Sequence, residues 1–346
     1  MIEDLAVCVS ARVHDCGVAL AANPPSRAEL CYLLYEAAEL EHTLMCTYLY
    51  AAFSLRDGES EGLSRDEAAC VSRWRRTIIS VAVEEMGHLA AVWNITSALG
   101  GPPQFARGEF PLGGHSPRAT PRSGEPEGHG FAPNRLFRRE VGRPSLTPMP
   151  LDYDTVGTFY SSLGDGLRAF VAHHGEAAAF CGDPALQLSP QELTLAGAKP
   201  VTCLKTALEA FAAIVEQGEG AKTGSSGSHF QRFVEIRNEL LALKAKNPGF
   251  QPSFPAAHNP VLRAPAVREG RVWIENEAAV QCVDLANTGY ALMLRLLAHA
   301  YVVPRPQPDK ALAIELGLGL MHAVTPLAER AARLPAGPRI PHPMLA

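Results

Sequence analysis

RTIISVAVEEMGHLAAVWNITSALGGPP, residues 76–103, is the stretch on which the reading of this chain turns. Ile78, Val81, Ala82, Leu89 and Val92 recur at helical spacing and form one apolar face, and Gly100-Gly101-Pro102-Pro103 supplies a strong stop. The centre of that face holds Glu85 and His88, three residues apart and therefore on the same side of the helix. A carboxylate placed in an apolar core must be paired, protonated or metal-bound, because desolvating it costs several kcal/mol. A bare Glu-x-x-His arises by chance in many chains. Its position on a core-facing stripe is what gives it chemical meaning.

The preceding helical segment carries a matching feature. Leu34, Ala37, Ala38, Leu44, Met45, Tyr48, Ala52 and Leu55 share one face of a helix expected over 27–55, and Glu41 sits in the middle of that face. A glutamate facing inward from one helix and Glu-x-x-His from another is the ligand arrangement of di-metal carboxylate bundles. A second Glu-x-x-His, Glu39 and His42, has the more polar neighbours Tyr35, Glu36 and Cys46, which suits a supporting or surface role better than ligation. A di-metal bundle also needs ligands from two later helices. The candidates are Glu209, Glu216 and Glu219 around IVEQGEG, the pattern not choosing between the last two, and His229, which shares a face with Phe233, Ile236 and Leu240.

Proline and glycine divide the remainder. The 28 prolines and 29 glycines crowd into 100–150, 181–200, 218–227 and 246–271, and helical patterns fill the intervals over 65–99, 154–174, 200–217, 228–245, 277–302 and 309–333. Almost nothing alternates with the period of a strand, so the expectation is an all-α chain with long irregular loops. A four-helix bundle is expected from 27–55, 65–99, 200–217 and 228–245, with 154–174 and the two C-terminal helices packed outside it. The domain reading is 1–262 for the bundle, including the loop at 100–150, and 263–346 for a helical extension packed on it. The loop at 100–150 and the Gly/Ser-rich segment 218–227 are read as lining the entrance to the metals.

Composition narrows the function classes. Of 346 residues, 47% are hydrophobic and 19% charged, which describes a globular chain. With 31 Lys+Arg against 36 Asp+Glu the net charge is -5, without the basic excess that a phosphate backbone calls for, so nucleic acid is not expected as a partner. Eight scattered cysteines form no CxxC pair, the N-terminus lacks a signal-peptide pattern, and GYALMLRLLAHAYVV contains Arg295 and is too short to span a bilayer. A cytoplasmic location, reduced thiols and no membrane partner are the corresponding expectations. No dinucleotide, Walker or serine-nucleophile motif occurs.

Five blocks, ELEHTLMCTYLYAAFSL (39–55), SVAVEEMGHLAAVWNITSALGG (80–101), DTVGTFYSSLGDGL (154–167), PVTCLKTALEAFAAIVEQGEGA (200–221) and SHFQRFVEI (228–236), resemble in order the ferritin-like domain of the iminophenyl-pyruvate dimer synthase family. That family includes domains of enzymes making bis-indole pigments of the violacein type. The resemblance spans about 27–262, and the first two blocks are also distantly similar to manganese catalase. It implies a ferritin-like four-helix bundle and two metal ions, iron or alternatively manganese. The implied ligands are Glu41, Glu85, His88, Glu216 or Glu219, and His229, with Tyr48 as a nearby hydrogen-bonding or redox-active group. The family usually has a proline pair where this chain has Met45-Cys46, and its pigment enzymes are much longer, so their products do not carry over. The implied activity is that of a di-metal oxidoreductase using O₂ or peroxide on a small organic, amino-acid-derived substrate, with a homo-oligomer left open. The alternatives are metal storage without an organic substrate and peroxide handling like that of manganese catalase.

Overall fold

A computed structural model describes residues 24–105, 156–218, 227–257, 260–265 and 271–337. Helices dominate them. Helix α1, Arg27–Ser54, begins where Ser26 and Glu29 exchange side-chain and backbone hydrogen bonds, and α2, Arg65–Ala98, begins with the same exchange between Ser64 and Glu67. Each such box satisfies amide donors that the first helical turn leaves open. The connection between them turns through Gly58 and Gly62, both at positive φ, which a residue lacking Cβ adopts without strain.

Helices α1 and α2 pack along their length as an antiparallel pair, and each half of the pair is closed by different partners. At one end, Leu30, Leu34 and Ala37 of α1 and Val92, Ile95 and Leu99 of α2 share a hydrophobic cluster with α3 (Val156–His174) and α5 (Leu204–Gln217), α4 being the short Glu176–Ala179. At the other end, Leu44, Tyr48 and Ala52 of α1 and Val71, Trp74 and Ile78 of α2 pack against Phe233, Ile236 and Leu240 of α6, His229–Lys246. Each fully buried Leu, Ile or Phe contributes ~1.5–3 kcal/mol. Glu41 lies between Ala38 of the first cluster and Leu44 of the second, and Glu85 and His88 lie between Ala82 and Leu89. The polar centre therefore sits where the two cores meet.

The helix boundaries agree with the periodic pattern to within a few residues, but one placement is corrected. Residues 154–174 are not packed outside the bundle. Phe159, Tyr160, Leu163, Leu167 and Phe170 bury one face of α3 in the first cluster, with Tyr160 against Phe211 of α5. The reason is length: α5 has 14 residues against 34 in α2, so a further helix is needed to cover that end of the long pair.

The irregular connection after α4 is stitched to α2. Asn94 Nδ2 donates to the carbonyls of Leu188 and Lys199, and its Oδ1 accepts from the Leu188 amide. These bonds bring Gly197 onto Gly87, where a Cβ added at Gly197 would lie 1.7 Å from the Gly87 carbonyl oxygen. Helices α7 (Glu277–Ala300) and α8 (Pro308–Arg333) pair with one another, and α8 lies against α1. Tyr301, Ala313 and Ile314 belong to the first cluster, and Tyr301 Oη donates to Asn94 Oδ1. Among the described residues α8 alone is long and apolar enough, by length and composition, to cross a membrane, and not the stretch around Arg295. Strand content among the described residues is a two-residue parallel pair, Pro260–Val261 with Val272–Trp273.

Candidate metal centre

Four ionisable side chains converge, all buried: Glu41 from α1, Glu85 and His88 from α2, and His229 from the first turn of α6. His88 Nδ1 lies 2.8 Å from Glu85 Oε2 and 3.3 Å from Glu41 Oε2. On the other side of Glu85, its Oε1 lies 2.9 Å from His229 Nδ1. One ligand atom each from Glu41, Glu85 and His88 fall within 4.8 Å of one another. The two imidazole rings lie 5.7 Å apart, nearly parallel.

The electrostatics follow from crowding in a dry core. Burial alone would lower the His88 pKa, but the Glu41 and Glu85 carboxylates override it and push it up to about 11. Burial likewise opposes charge on His229, which Glu84 and Glu85 raise to about 9. Burial and the neighbouring Glu85 charge raise Glu41 above the usual carboxylate range. For Glu85, burial is outweighed by the two imidazoles, which hold it low.

The centre suits a metal on a further ground. Glu85 Oε1 and His229 Nδ1 are buried and 2.9 Å apart, yet neither is hydrogen-bonded. Left so, each costs ~1–3 kcal/mol of lost hydration. A carboxylate oxygen and an imidazole nitrogen that face a common point are what a cation would satisfy once the imidazole has shed its proton. Carboxylate and imidazole together suit iron or manganese better than calcium or magnesium.

Several neighbours were not legible as site residues. Tyr160 Oη donates to Glu41 Oε1 at 2.6 Å, and burial followed by the Glu41 charge raises its pKa well above the ordinary value. Glu84, the residue before Glu85, accepts from His229 Nε2 at 3.1 Å and from both terminal nitrogens of Arg232 at 2.7 and 2.8 Å. Burial raises the Glu84 carboxyl, but His229 and Arg232 bring it down to about 2. Available signals were the tandem Glu84-Glu85 and the three-residue spacing of His229 and Arg232.

The later-helix candidates fall out unequally. His229 is at the centre. Glu216 is exposed, and Gln217 instead turns toward α2, its Oε1 3.3 Å from His88 Nε2, because one residue rotates the side chain by about 100°. Glu219 and most of 218–227 lie outside the described residues, as does nearly all of 100–150. Tyr48 is buried, its ring 4.9 Å from that of Phe233. His42 is buried too, but faces α7, where its Nε2 lies 2.5 Å from Tyr290 Oη.

Comparison with known proteins adds the following. A family model described as Ferritin-like matches residues 34–129 and 133–238, more than half of the chain. The 2-imino-3-(indol-3-yl)propanoate dimerase of Chromobacterium violaceum is 30% identical over 363 residues, an alignment covering 92% of this chain and 34% of that protein. The dichlorochromopyrrolate synthase of Lentzea aerocolonigenes is 24% identical over 371 residues, covering 90% and 35% respectively. The chain thus spans about a third of the length of the curated relatives it matches. The crystal structure of a ferritin like protein from Caulobacter vibrioides superposes with a TM-score of 0.52 at 20% identity, covering 92% of this chain and 99% of that one, a likeness of fold.

Proposed function

Because this chain belongs to the Ferritin-like family, we propose that its buried centre holds two redox metal ions, iron or alternatively manganese. With O₂ or peroxide, they would serve the oxidation of a small organic, amino-acid-derived substrate. The observation that carries the reading is the convergence of Glu41, Glu85, His88 and His229 in a buried position, with Glu85 Oε1 and His229 Nδ1 2.9 Å apart and not hydrogen-bonded. The names of the two curated relatives, a dimerase of an indolyl imino acid and a dichlorochromopyrrolate synthase, favour an aromatic substrate over metal storage.

The roles follow from position. Glu85 presents one oxygen to each imidazole, and Glu85, His88 and His229 would together hold the ions. Glu41 offers Oε2 to the centre while Tyr160 occupies its Oε1. A bound redox ion would supply electron exchange with the oxidant at a site closed to bulk water. Tyr160 and the Glu84–Arg232 pair surround these groups with donors and charges that hold their orientation.

Metal content per chain, measured after purification without chelator, and oxygen or peroxide consumption with and without aromatic amino-acid-derived imines test this reading. Expected are bound iron or manganese and consumption that depends on the organic partner, both lost in Glu85→Ala. Metal uptake with oxidation indifferent to every organic partner would turn the reading to storage.

A further inference from the structure

Glu84 and Glu85, consecutive on α2, point in different directions, and only Glu85 reaches the centre. Glu84 projects toward α6 and meets Arg232 through two parallel charge-assisted hydrogen bonds, from Nη1 to Oε1 at 2.7 Å and from Nη2 to Oε2 at 2.8 Å. Arg232 is itself held, its Nε donating to the Gly227 carbonyl at 2.9 Å. The helix that carries it is anchored at its first turn, where Ser228 accepts from the Gln231 amide. Oε2 of this clamped carboxylate is also the partner of His229 Nε2 at 3.1 Å.

A carboxylate can only accept, so the proton on the imidazole is pinned to Nε2. The other nitrogen, Nδ1, is thereby turned toward Glu85 Oε1, 2.9 Å away and without a hydrogen bond to it. We infer that Glu84, locked by Arg232, is a positioning residue that fixes the ring orientation and tautomer of His229 so that Nδ1 is its metal-binding nitrogen. The inference rests on the proposed metal centre. It goes beyond it by assigning work to two residues that would themselves touch no ion. The competing account is an ordinary partly exposed ion pair joining α2 to α6, the side chains of Glu84 and Arg232 being 26% and 24% exposed. Such a pair contributes little and acts without regard to His229.

Cobalt(II) affinity, measured by competition with a chromophoric chelator, separates the two accounts, using wild type, Glu84→Gln, His229→Ala and the double variant. Glu84→Gln is expected to weaken cobalt binding ~10–100-fold and to shift the visible absorption of the bound ion, with the thermal melt of the metal-free protein close to wild type. In the His229→Ala background the same substitution is expected to change affinity less than about twofold, because its effect passes through the ring that is gone. Arg232→Lys keeps the charge and loses the fork, so it should weaken binding in the same His229-dependent way and serves if Glu84→Gln does not fold. Equal losses with and without His229, or wild-type affinity in both clamp variants, overturn the inference. Wild-type protein that binds no cobalt at all would instead overturn the metal reading on which it rests.

Discussion

Raising the pH from about 6 to about 8 should tighten metal binding by about four orders of magnitude, because both imidazoles must shed a proton to become ligands. In the metal-free protein the surrounding carboxylates hold the His88 pKa at about 11 and that of His229 at about 9, so across this window both are cationic. The sign is set by linkage. A raised pKa means the metal-free state binds the protons and the metal-bound state does not, so affinity climbs as pH rises, by one decade per pH unit for each proton displaced. Two protons over two units give ~10⁴-fold, whereas two ordinary histidines with pKa near 6.5 would be mostly neutral above pH 7 and give only ~15-fold. Glu41, raised by burial and by Glu85, adds further release in the same direction. Chelator competition at a series of pH values measures the slope. Calorimetric titration in two buffers of different ionisation heat counts the protons directly. A gain of about 20-fold or less, or release of no protons near pH 7, would refute the charge assignment of the centre.

Other perturbations have separable expectations. Tyr160→Phe removes the donor to a buried carboxylate and should destabilise the chain by ~1.5–3 kcal/mol in urea titration while weakening metal binding, since Glu41 loses its anchor. Gly197→Ala would thrust a Cβ into the Gly87 carbonyl, between Glu85 and His88 in the chain; a loss of ~1–3 kcal/mol or more in thermal or urea unfolding, with reduced metal affinity, is expected. Ser64→Ala deletes the cap of α2 far along the helix from the centre, so stability should fall by ~1 kcal/mol with metal affinity unchanged.

Much of this architecture was legible before any tertiary contact. Periodicity located the seven long helices of the described residues, because an amphipathic stripe is a local property, and the glycine and proline runs marked where they stop. The same stripes pointed Glu41, Glu85, His88 and His229 inward, since a charged group on an apolar face has no other reason to be there. What periodicity does not encode is the element lying opposite that face. Tyr160 meets Glu41 across 119 residues and Glu84 meets His229 across 145, contacts decided by how α3 and α6 dock on the long pair. In the same way, Gln217 rather than Glu216 faces His88 because of the angle at which α5 ends, and the ring nitrogen of His42 meets Tyr290 Oη because α7 brings that side chain to α1. Sequence determined which residues leave water. Only the packing of separate helices decided which of them meet, because hydrogen bonds and charge pairs act over a few ångströms and depend on relative placement that no single helix specifies.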